Sequence, residues 1–250
     1  RHKLATALGA AVLASLTLGL GATAWQAREA AIERDAAQRE AARNEAVTDY
    51  LSLMFRTAGE LRGNADVTAR EVLDRAAERV HEEFRDSPEN YADVSLALAE
   101  LYLQLNDYAG ARPLLTRLLE TPGLPPDLRA MAQHDLAQLR FRDEHRAEAG
   151  ELLREAQAFW ASDPQAYHTQ LLESRLLQAQ LQSAEGDVQA ALLTLTDSLP
   201  QRLALSGENH RETAVLVNNI GSALFRLGRY EDAIAQFRRA DAIWNALGRE

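Results

Sequence analysis

Histidine and carboxylate side chains have the greatest catalytic potential in this chain, but their spacing matches none of the common sites. The 250-residue sequence has six histidines and no cysteine. His81 precedes two glutamates but lacks the second histidine of a zinc-binding H-E-x-x-H helix. Acidic pairs such as Glu231 and Asp232 lie in charged helical stretches, which is typical of a solvated face. We therefore predict no catalytic, cofactor-binding or metal site within this chain.

Phosphate chemistry is also missing from the sequence. A G-x-G-x-x-A pattern spans 19–24, but it lies inside an apolar run, whereas a dinucleotide fingerprint needs a preceding strand and a polar mouth. No Walker motif occurs, and neither His-Arg pair, at 145 or at 210, continues to the aspartate of a phosphoryl-transfer loop. Lys3 is the only lysine. These residues do not carry phosphoryl transfer.

Composition points to a helical protein that does not bind nucleic acid. Hydrophobic residues make up 46% and charged residues 26%, with alanine, leucine, glutamate and arginine dominating. These side chains lose little rotamer freedom in a helix. The formal net charge is −10, whereas nonspecific nucleic-acid binding needs a basic surface.

The N-terminal segment is long enough to cross a membrane. Leu4 to Trp25 are uncharged, and at about 1.5 Å per residue they span roughly 33 Å. We predict a transmembrane helix at 4–25 after a short basic flank at 1–3. The first residue is not Met, so we expect this segment to be internal. The alternative is a signal peptide cleaved after Ala24, because Ala22-Thr23-Ala24 fits a small-x-small site.

Two helical segments follow. Residues 26–63 begin with a charged, alanine-rich stretch without proline or glycine, which predicts a juxtamembrane helix. Thr68 and Glu71 have the spacing of a capping box, which predicts the start of a lead-in helix within 64–90. We further expect a homodimer through the membrane and juxtamembrane helices; within the membrane segment the small residues Ala11, Ser15 and Gly19 recur at every fourth position.

The rest of the chain is repetitive. The segments "LNDYAGARPLLTRLL", "EGDVQAALLTLTDSL" and "LGRYEDAIAQFRRAD" align on Tyr108, Val188 and Tyr230, each with alanine three residues later. A weaker copy aligns on Arg146, so the anchors are spaced 38, 42 and 42 residues apart. Each anchor follows a turn and an apolar helix with a small residue at the expected crossing. Such helix pairs stack because one pair does not bury its apolar face alone.

The repeats resemble the tetratricopeptide repeat. In the last copy the matching residues are Ile220, Gly221, Gly228, Tyr230, Ala233, Phe237 and Ala240. The 42-residue spacing is similar to that of the longer, kinesin-light-chain-like class. We therefore predict an all-α fold: a transmembrane and a juxtamembrane helix, then an α-solenoid of antiparallel helix pairs over 91–250. We expect about four repeats, in an array that continues beyond this chain.

The resemblance to this family implies a groove for a protein or peptide ligand, lined by residues of the first helix of each pair. The candidate groove residues are Leu96, Glu100, His134, Gln138, Phe141, Arg142, Leu176, Gln180, Asn218, Ser222, Phe225 and Arg226.

The order of segments is similar to the C-terminal half of bacterial membrane-anchored serine/threonine protein kinases with tetratricopeptide repeats. The stretches "EAVTDYLSLMF" and "TAREVLDRAAERV" carry this likeness. It implies a kinase domain upstream, using ATP and Mg²⁺, a cytoplasmic flank at 1–3, and repeats outside the inner membrane. The alternative is a secreted or periplasmic tetratricopeptide scaffold with a cleaved signal peptide and no kinase.

Overall fold

The computed structural model describes residues 41, 44–54, 56 and 68–248. The chain divides into two compact units, which meet in sequence between Thr68 and Ala69. In the first unit residues 44–54 are helical, within the predicted juxtamembrane helix, and Tyr50 and Met54 are buried. The predicted membrane helix at 4–25 lies outside the described residues. Among those that are described, no helix combines the length and apolar character needed to span a membrane.

The second unit is all-α, and its described part contains nine helices. A single lead-in helix, α1, spans Ala69–Glu83. Four antiparallel pairs follow: α2 (Pro88–Gln104) with α3 (Tyr108–Leu119), α4 (Pro126–Arg142) with α5 (Arg146–Trp160), α6 (His168–Ala184) with α7 (Val188–Ser206), and α8 (Arg211–Arg226) with α9 (Tyr230–Ala246).

The helix starts coincide with the repeat pattern of the sequence. The second helices α3, α5, α7 and α9 begin at the four anchors, Tyr108, Arg146, Val188 and Tyr230. The weak second copy therefore folds as the others do, although arginine replaces its aromatic anchor. The first pair begins at Pro88, three residues before the predicted boundary, because proline is favoured in a first helical turn.

The four pairs share one turn geometry. The residue two positions before each anchor has positive φ: Asn106 (57°), Glu144 (64°), Gly186 (97°) and Gly228 (76°). The next N–H donates to the carbonyl five residues earlier at 2.8–2.9 Å in all four turns. This is the Schellman arrangement, which satisfies carbonyls at a helix end and reverses the chain. Because the four turns share this geometry, the chain enters the second helix of each pair in the same way, two residues after the residue with positive φ.

The helices of a pair cross closely, because small residues lie at the crossing. Ala137 of α4 and Ala149 of α5 belong to one buried cluster, as do Ala179 and Ala191 in the next pair. In the last pair, a Cβ on Gly221 would lie 2.8 Å from a ring carbon of α9, on the side chain of Phe237. The small residues predicted from the repeat are thus where two helices meet.

Stacking makes the core continuous from pair to pair. Leu192 and Leu195 of α7 are 5% and 3% exposed and pack in one cluster with Leu216 of α8. The positions 42 residues later, Ile234 and Phe237, are 50% and 36% exposed. Within the described residues, the stacking surface of the last pair is therefore uncovered. A continuing array stays a prediction.

The lead-in helix is tied to the first pair by polar contacts. The Tyr102 hydroxyl donates to Asp74 Oδ1 at 2.7 Å, and burial, together with this bond, raises the pKa of Tyr102 above its ordinary range. Arg70 forms an ion pair with Asp107 at 2.8 Å. Together these contacts fix α1 on α2 and on the turn that follows it.

Two helical glycines give opposite predictions for alanine substitution. A Cβ on Gly110 would lie 2.4 Å from two ring carbons of Tyr102, which is 1% exposed and held by its bond to Asp74. Gly110→Ala should therefore lower the free energy of unfolding by about 1–3 kcal/mol through overpacking. A Cβ on Gly150 would meet no atom within 4 Å, so Gly150→Ala should raise stability by roughly 0.5–1 kcal/mol through helix propensity.

Urea unfolding of the full chain, followed by circular dichroism, measures both changes. Stabilisation by both substitutions would contradict the close packing of α3 on the Tyr102 ring.

Candidate binding groove

The first helices of the first three pairs contact one another in succession, so that α2 adjoins α4 and α4 adjoins α6, and we call this series the inner row. Three cavities open along this row. We name them the α6–α8 cavity, of about 430 Å³, the Ser183 cavity, of about 280 Å³, and the Tyr108 cavity, of about 390 Å³. Gln180 of α6 lines all three, so they form one groove centred on this side chain.

The α6–α8 cavity is lined by both apolar and polar side chains. Its walls are Leu172, Leu176, Leu177, Val215 and Leu216. Its polar lining comes from four helices: His134 and Gln138 of α4, Glu173 and Gln180 of α6, Ser198 and Arg202 of α7, and Arg211 and Glu212 of α8. Polar residues thus outnumber apolar ones in this cavity, whereas most small-molecule pockets are lined mainly by apolar side chains.

An ion pair between a buried arginine and an exposed glutamate contributes to the lining of the α6–α8 cavity. Arg202 is only 6% exposed, and its Nη1 donates to Glu212 Oε2. Arg202 lies on the part of α7 that continues past Pro200, so the long second helix brings a guanidinium under the next pair. Since a buried charge is costly without a partner, this contact ties α7 to α8.

Glu173 faces the same cavity without a partner. Among the described residues its carboxylate makes no hydrogen bond and no ion pair. Burial raises the pKa of Glu173 above its ordinary value, and repulsion from Glu212 raises it further, while attraction to Arg202 opposes the change. Glu173 is nevertheless exposed to solvent, so water still hydrates its carboxylate in the open cavity.

His134, which lines the same cavity, is held by its neighbours. Its side chain is 14% exposed, and its ring meets the buried Trp160 ring edge-to-face at 5.7 Å. Gln138 Nε2 lies 3.3 Å from His134 Nδ1, one turn along α4. These contacts orient the imidazole and the amide together toward the groove.

Cations around the other two cavities are engaged within the protein. Arg226 donates to the carbonyl oxygen of Ser183 at 2.9 Å and also contacts its hydroxyl, which joins α8 to α6 beside the Ser183 cavity. The Arg142 guanidinium stacks over the Tyr108 ring at 3.9 Å, which joins α4 to α3 beside the Tyr108 cavity.

Eight of the twelve predicted groove residues line the three cavities. They are His134, Gln138, Phe141, Arg142, Leu176, Gln180, Ser222 and Arg226. Gln138, Gln180 and Ser222 are spaced 42 residues apart, so they repeat the same position on α4, α6 and α8. Their role in ligand binding stays a prediction.

The other four predicted residues line none of these cavities. Leu96 is 4% exposed and belongs to the core, while Glu100 is exposed and accepts a hydrogen bond from Gln104. Asn218 and Phe225 repeat the positions of Leu176 and Ser183, but α8 has no following first helix among the described residues. Phe225 instead packs against Tyr230, with ring centroids 5.3 Å apart.

The groove places several side-chain amides beside apolar surface. The amides of Gln138, Gln180 and Asn219 each offer both donors and acceptors, which suits the backbone of an extended segment. Over the part of the chain that is described, no group of three or more histidine, aspartate or glutamate residues is placed to hold a metal ion. Apolar surface beside amides that donate and accept hydrogen bonds gives the groove the composition of a recognition surface.

The sequence did not lead us to predict that Glu173, Arg202 and Glu212 line the groove. One signal was available: Arg202 is the only basic residue between Val188 and Ser206, an otherwise largely apolar helix that contains a proline. An arginine in such a stretch indicates a buried cation that needs a carboxylate. The identity of that carboxylate depends on the stacking angle between pairs, which no local pattern specifies.

Removal of the Glu212 carboxylate should destabilise the protein more than removal of a surface carboxylate. Glu212→Ala leaves the buried Arg202 guanidinium unpaired, and because Glu212 is itself 47% exposed we expect a loss of about 1–3 kcal/mol. Glu151→Ala is the matched control: Glu151 and its partner Arg154 are both about two-thirds exposed, so its cost should be below about 0.5 kcal/mol.

Urea unfolding of the two variants measures this difference as a shift in the midpoint, provided that the slope of the unfolding free energy against urea concentration is unchanged. Equal midpoints would contradict a structural role for the Arg202–Glu212 pair.

Comparison with known proteins agrees with the fold. A family model for the tetratricopeptide repeat matches residues 214–243, which cover most of α8 and α9. Among solved structures, a putative kinesin light chain with nearly identical TPR-like repeats, from Podosopora anserina, is 20% identical. The alignment covers 82% of this chain and 97% of that one, with a TM-score of 0.55. MamA from Desulfovibrio magneticus RS-1, in a form starting at residue 41, is 14% identical over 79% and 97% of the two chains, with a TM-score of 0.51.

No curated protein matches the sequence. The two solved structures share only 20% and 14% sequence identity with this chain, so their similarity supports the fold alone. The family model matches the copy with the strongest sequence signature, and the same pair geometry recurs in the other three. The described repeat region is therefore a tetratricopeptide-repeat-like α-solenoid.

Proposed function

We propose that the repeat region is a protein-interaction scaffold that binds an extended segment of a partner protein along the inner groove. The observation that carries this proposal is the row of three adjoining cavities around Gln180. An extended ligand would bury its side chains against the apolar lining, and its backbone groups would form hydrogen bonds with the side-chain amides of the groove.

A bulky side chain at the centre of the groove should block binding. We expect Gln180→Trp to lower the affinity for nine-residue peptides, selected from a random display library on the full chain, at least about tenfold, because one residue lines all three cavities. Gln189→Trp, at an exposed position of α7 outside the cavities, should leave the affinity unchanged. Fluorescence anisotropy of labelled peptides measures both affinities.

Circular dichroism and the thermal midpoint establish that both variants fold. Undiminished peptide binding by folded Gln180→Trp would contradict the groove as the binding site.

The finer proposal places this scaffold in a membrane receptor. We propose that 4–25 anchors the chain in the inner membrane of a bacterium as a single-pass protein, with the repeats outside the cytoplasm. We further propose that a serine/threonine kinase domain, using ATP and Mg²⁺, precedes the anchor, and that the membrane and juxtamembrane helices form a homodimer. The apolar length of 4–25 and the order of the linker motifs support this proposal.

A secreted or periplasmic scaffold, released by cleavage after Ala24, is the competing proposal. The small-x-small residues at 22–24 favour it. The two proposals differ in what precedes Arg1 and in whether the mature protein keeps the apolar segment.

The coding region upstream of Arg1 distinguishes them. The receptor proposal predicts a glycine-rich loop, V-A-x-K, H-R-D and D-F-G in that region. A start codon within a few residues of Arg1 would contradict the kinase. N-terminal sequencing of the mature natural protein then tests the anchor, since an N-terminus at Trp25 would show cleavage.

A further inference from the structure

A histidine side chain caps the helix that begins the last pair. Helix α8 starts at Arg211, and the residue before it, His210, has the extended backbone of a helix N-cap, with φ −136° and ψ 144°. The backbone N–H of Glu212 donates to His210 Nδ1 at 3.3 Å. The first N–H groups of a helix have no partner within the helix, so this hydrogen bond satisfies one of them.

The chemistry of the acceptor distinguishes this cap from the other side-chain caps in the described part of the chain. In α3 the capping side chain is Asp107, which accepts from the Gly110 N–H, and in α7 it is Asp187, which accepts from the Ala190 N–H. Among ordinary side chains, only the imidazole changes its charge between about pH 5 and pH 8. A protonated ring nitrogen is a donor and does not accept a hydrogen bond. The cap of α8 therefore exists only while His210 is neutral.

The charges around this imidazole also disfavour its protonated form. The N-terminus of a helix is the positive end of its dipole and repels a cation. Arg211 follows directly in the chain and is exposed. The two neighbouring carboxylates already have guanidinium partners: Glu208 accepts from Arg239 of α9 at 2.8 Å, and Glu212 accepts from Arg202 of α7. Protonation would thus break the cap and add a positive charge beside three arginines.

Loss of the cap would reach the groove through the first turn of α8. Arg211, Glu212 and Val215 of this part of α8 line the α6–α8 cavity. Glu212 has two roles, since its backbone N–H donates to the cap and its carboxylate accepts from the buried Arg202. Fraying of the first turn would withdraw that carboxylate from a guanidinium that is costly to leave buried without a partner.

We propose that His210 is a pH-sensitive cap of the repeat region. The neutral imidazole holds the first turn of α8 and the cavity lining that this turn supplies, and protonation releases both. The stabilisation is present while the imidazole is neutral and is lost as pH falls. This switch lies in the fold of the repeat region and does not depend on whether the groove binds a peptide.

Urea unfolding of the full chain at about pH 8 and at about pH 5.5 tests the switch. Asparagine is a strong N-cap whose amide does not titrate in this range, so His210→Asn keeps the cap and removes the proton. On acidification, the equilibrium constant for unfolding should rise at least about twofold more for wild type than for His210→Asn.

The matched control is His145→Asn. His145 also precedes a helix, α5, but its side chain makes no cap hydrogen bond. Its replacement should therefore leave the pH dependence of wild type unchanged. Equal pH dependence in wild type and His210→Asn would overturn the proposal, and so would an equal reduction of the pH dependence in His145→Asn and His210→Asn.

A local probe reports the first turn itself. The chain has no cysteine, so Arg211→Cys carries a single nitroxide label at the first residue of α8. Electron paramagnetic resonance should show greater mobility of this label at about pH 5.5 than at about pH 8 when residue 210 is histidine, and the same mobility at both values with His210→Asn. A label that responds equally to pH in both proteins would contradict the cap.

Discussion

The close crossing of two helices within each pair is the constraint on which the repeat region depends. Alanine lies at the crossing in the first three pairs, at Ala99, Ala137 and Ala179, each at most 2% exposed, and Gly221 replaces it in the fourth. Only small side chains let two helix axes approach this closely. The approach leaves the larger apolar residues of the second helix to pack on the next pair, so the same constraint that closes a pair also drives stacking.

Stacking in turn creates the groove. Successive pairs repeat one turn and one crossing, so equivalent positions of the first helices come into line on the inner face. Gln138 and Gln180 are such a set, and both line the α6–α8 cavity and the Tyr108 cavity. Helix α7 continues past Pro200, and this extension carries Arg202, which pairs with Glu212 in the lining of the α6–α8 cavity. The groove thus combines a periodic amide row with one local charged feature.

Much of the fold could be predicted from the sequence, because helix pairs are specified locally. The anchors at 108, 146, 188 and 230 predicted the starts of four helices, even where Arg146 replaces an aromatic residue. The resemblance to the tetratricopeptide repeat implied the candidate groove positions, and their role in binding stays a prediction. Leu96 lies in the core, and Asn218 faces no following first helix among the described residues. The environment of Glu173 was not predictable. It depends on α4, α7 and α8 meeting around α6, and these contacts between pairs leave no local pattern in the sequence.

The central claim, that the inner groove binds an extended protein segment, can be tested with one spectroscopic probe. The chain has no cysteine, so a single cysteine at Gln180 or at Gln189 carries a nitroxide label without interference. Electron paramagnetic resonance during titration with a selected peptide reports the mobility of that label. The groove predicts that the label at 180 is immobilised at saturation while the label at 189 stays mobile. A label at 180 that remains mobile while the peptide is bound would contradict it.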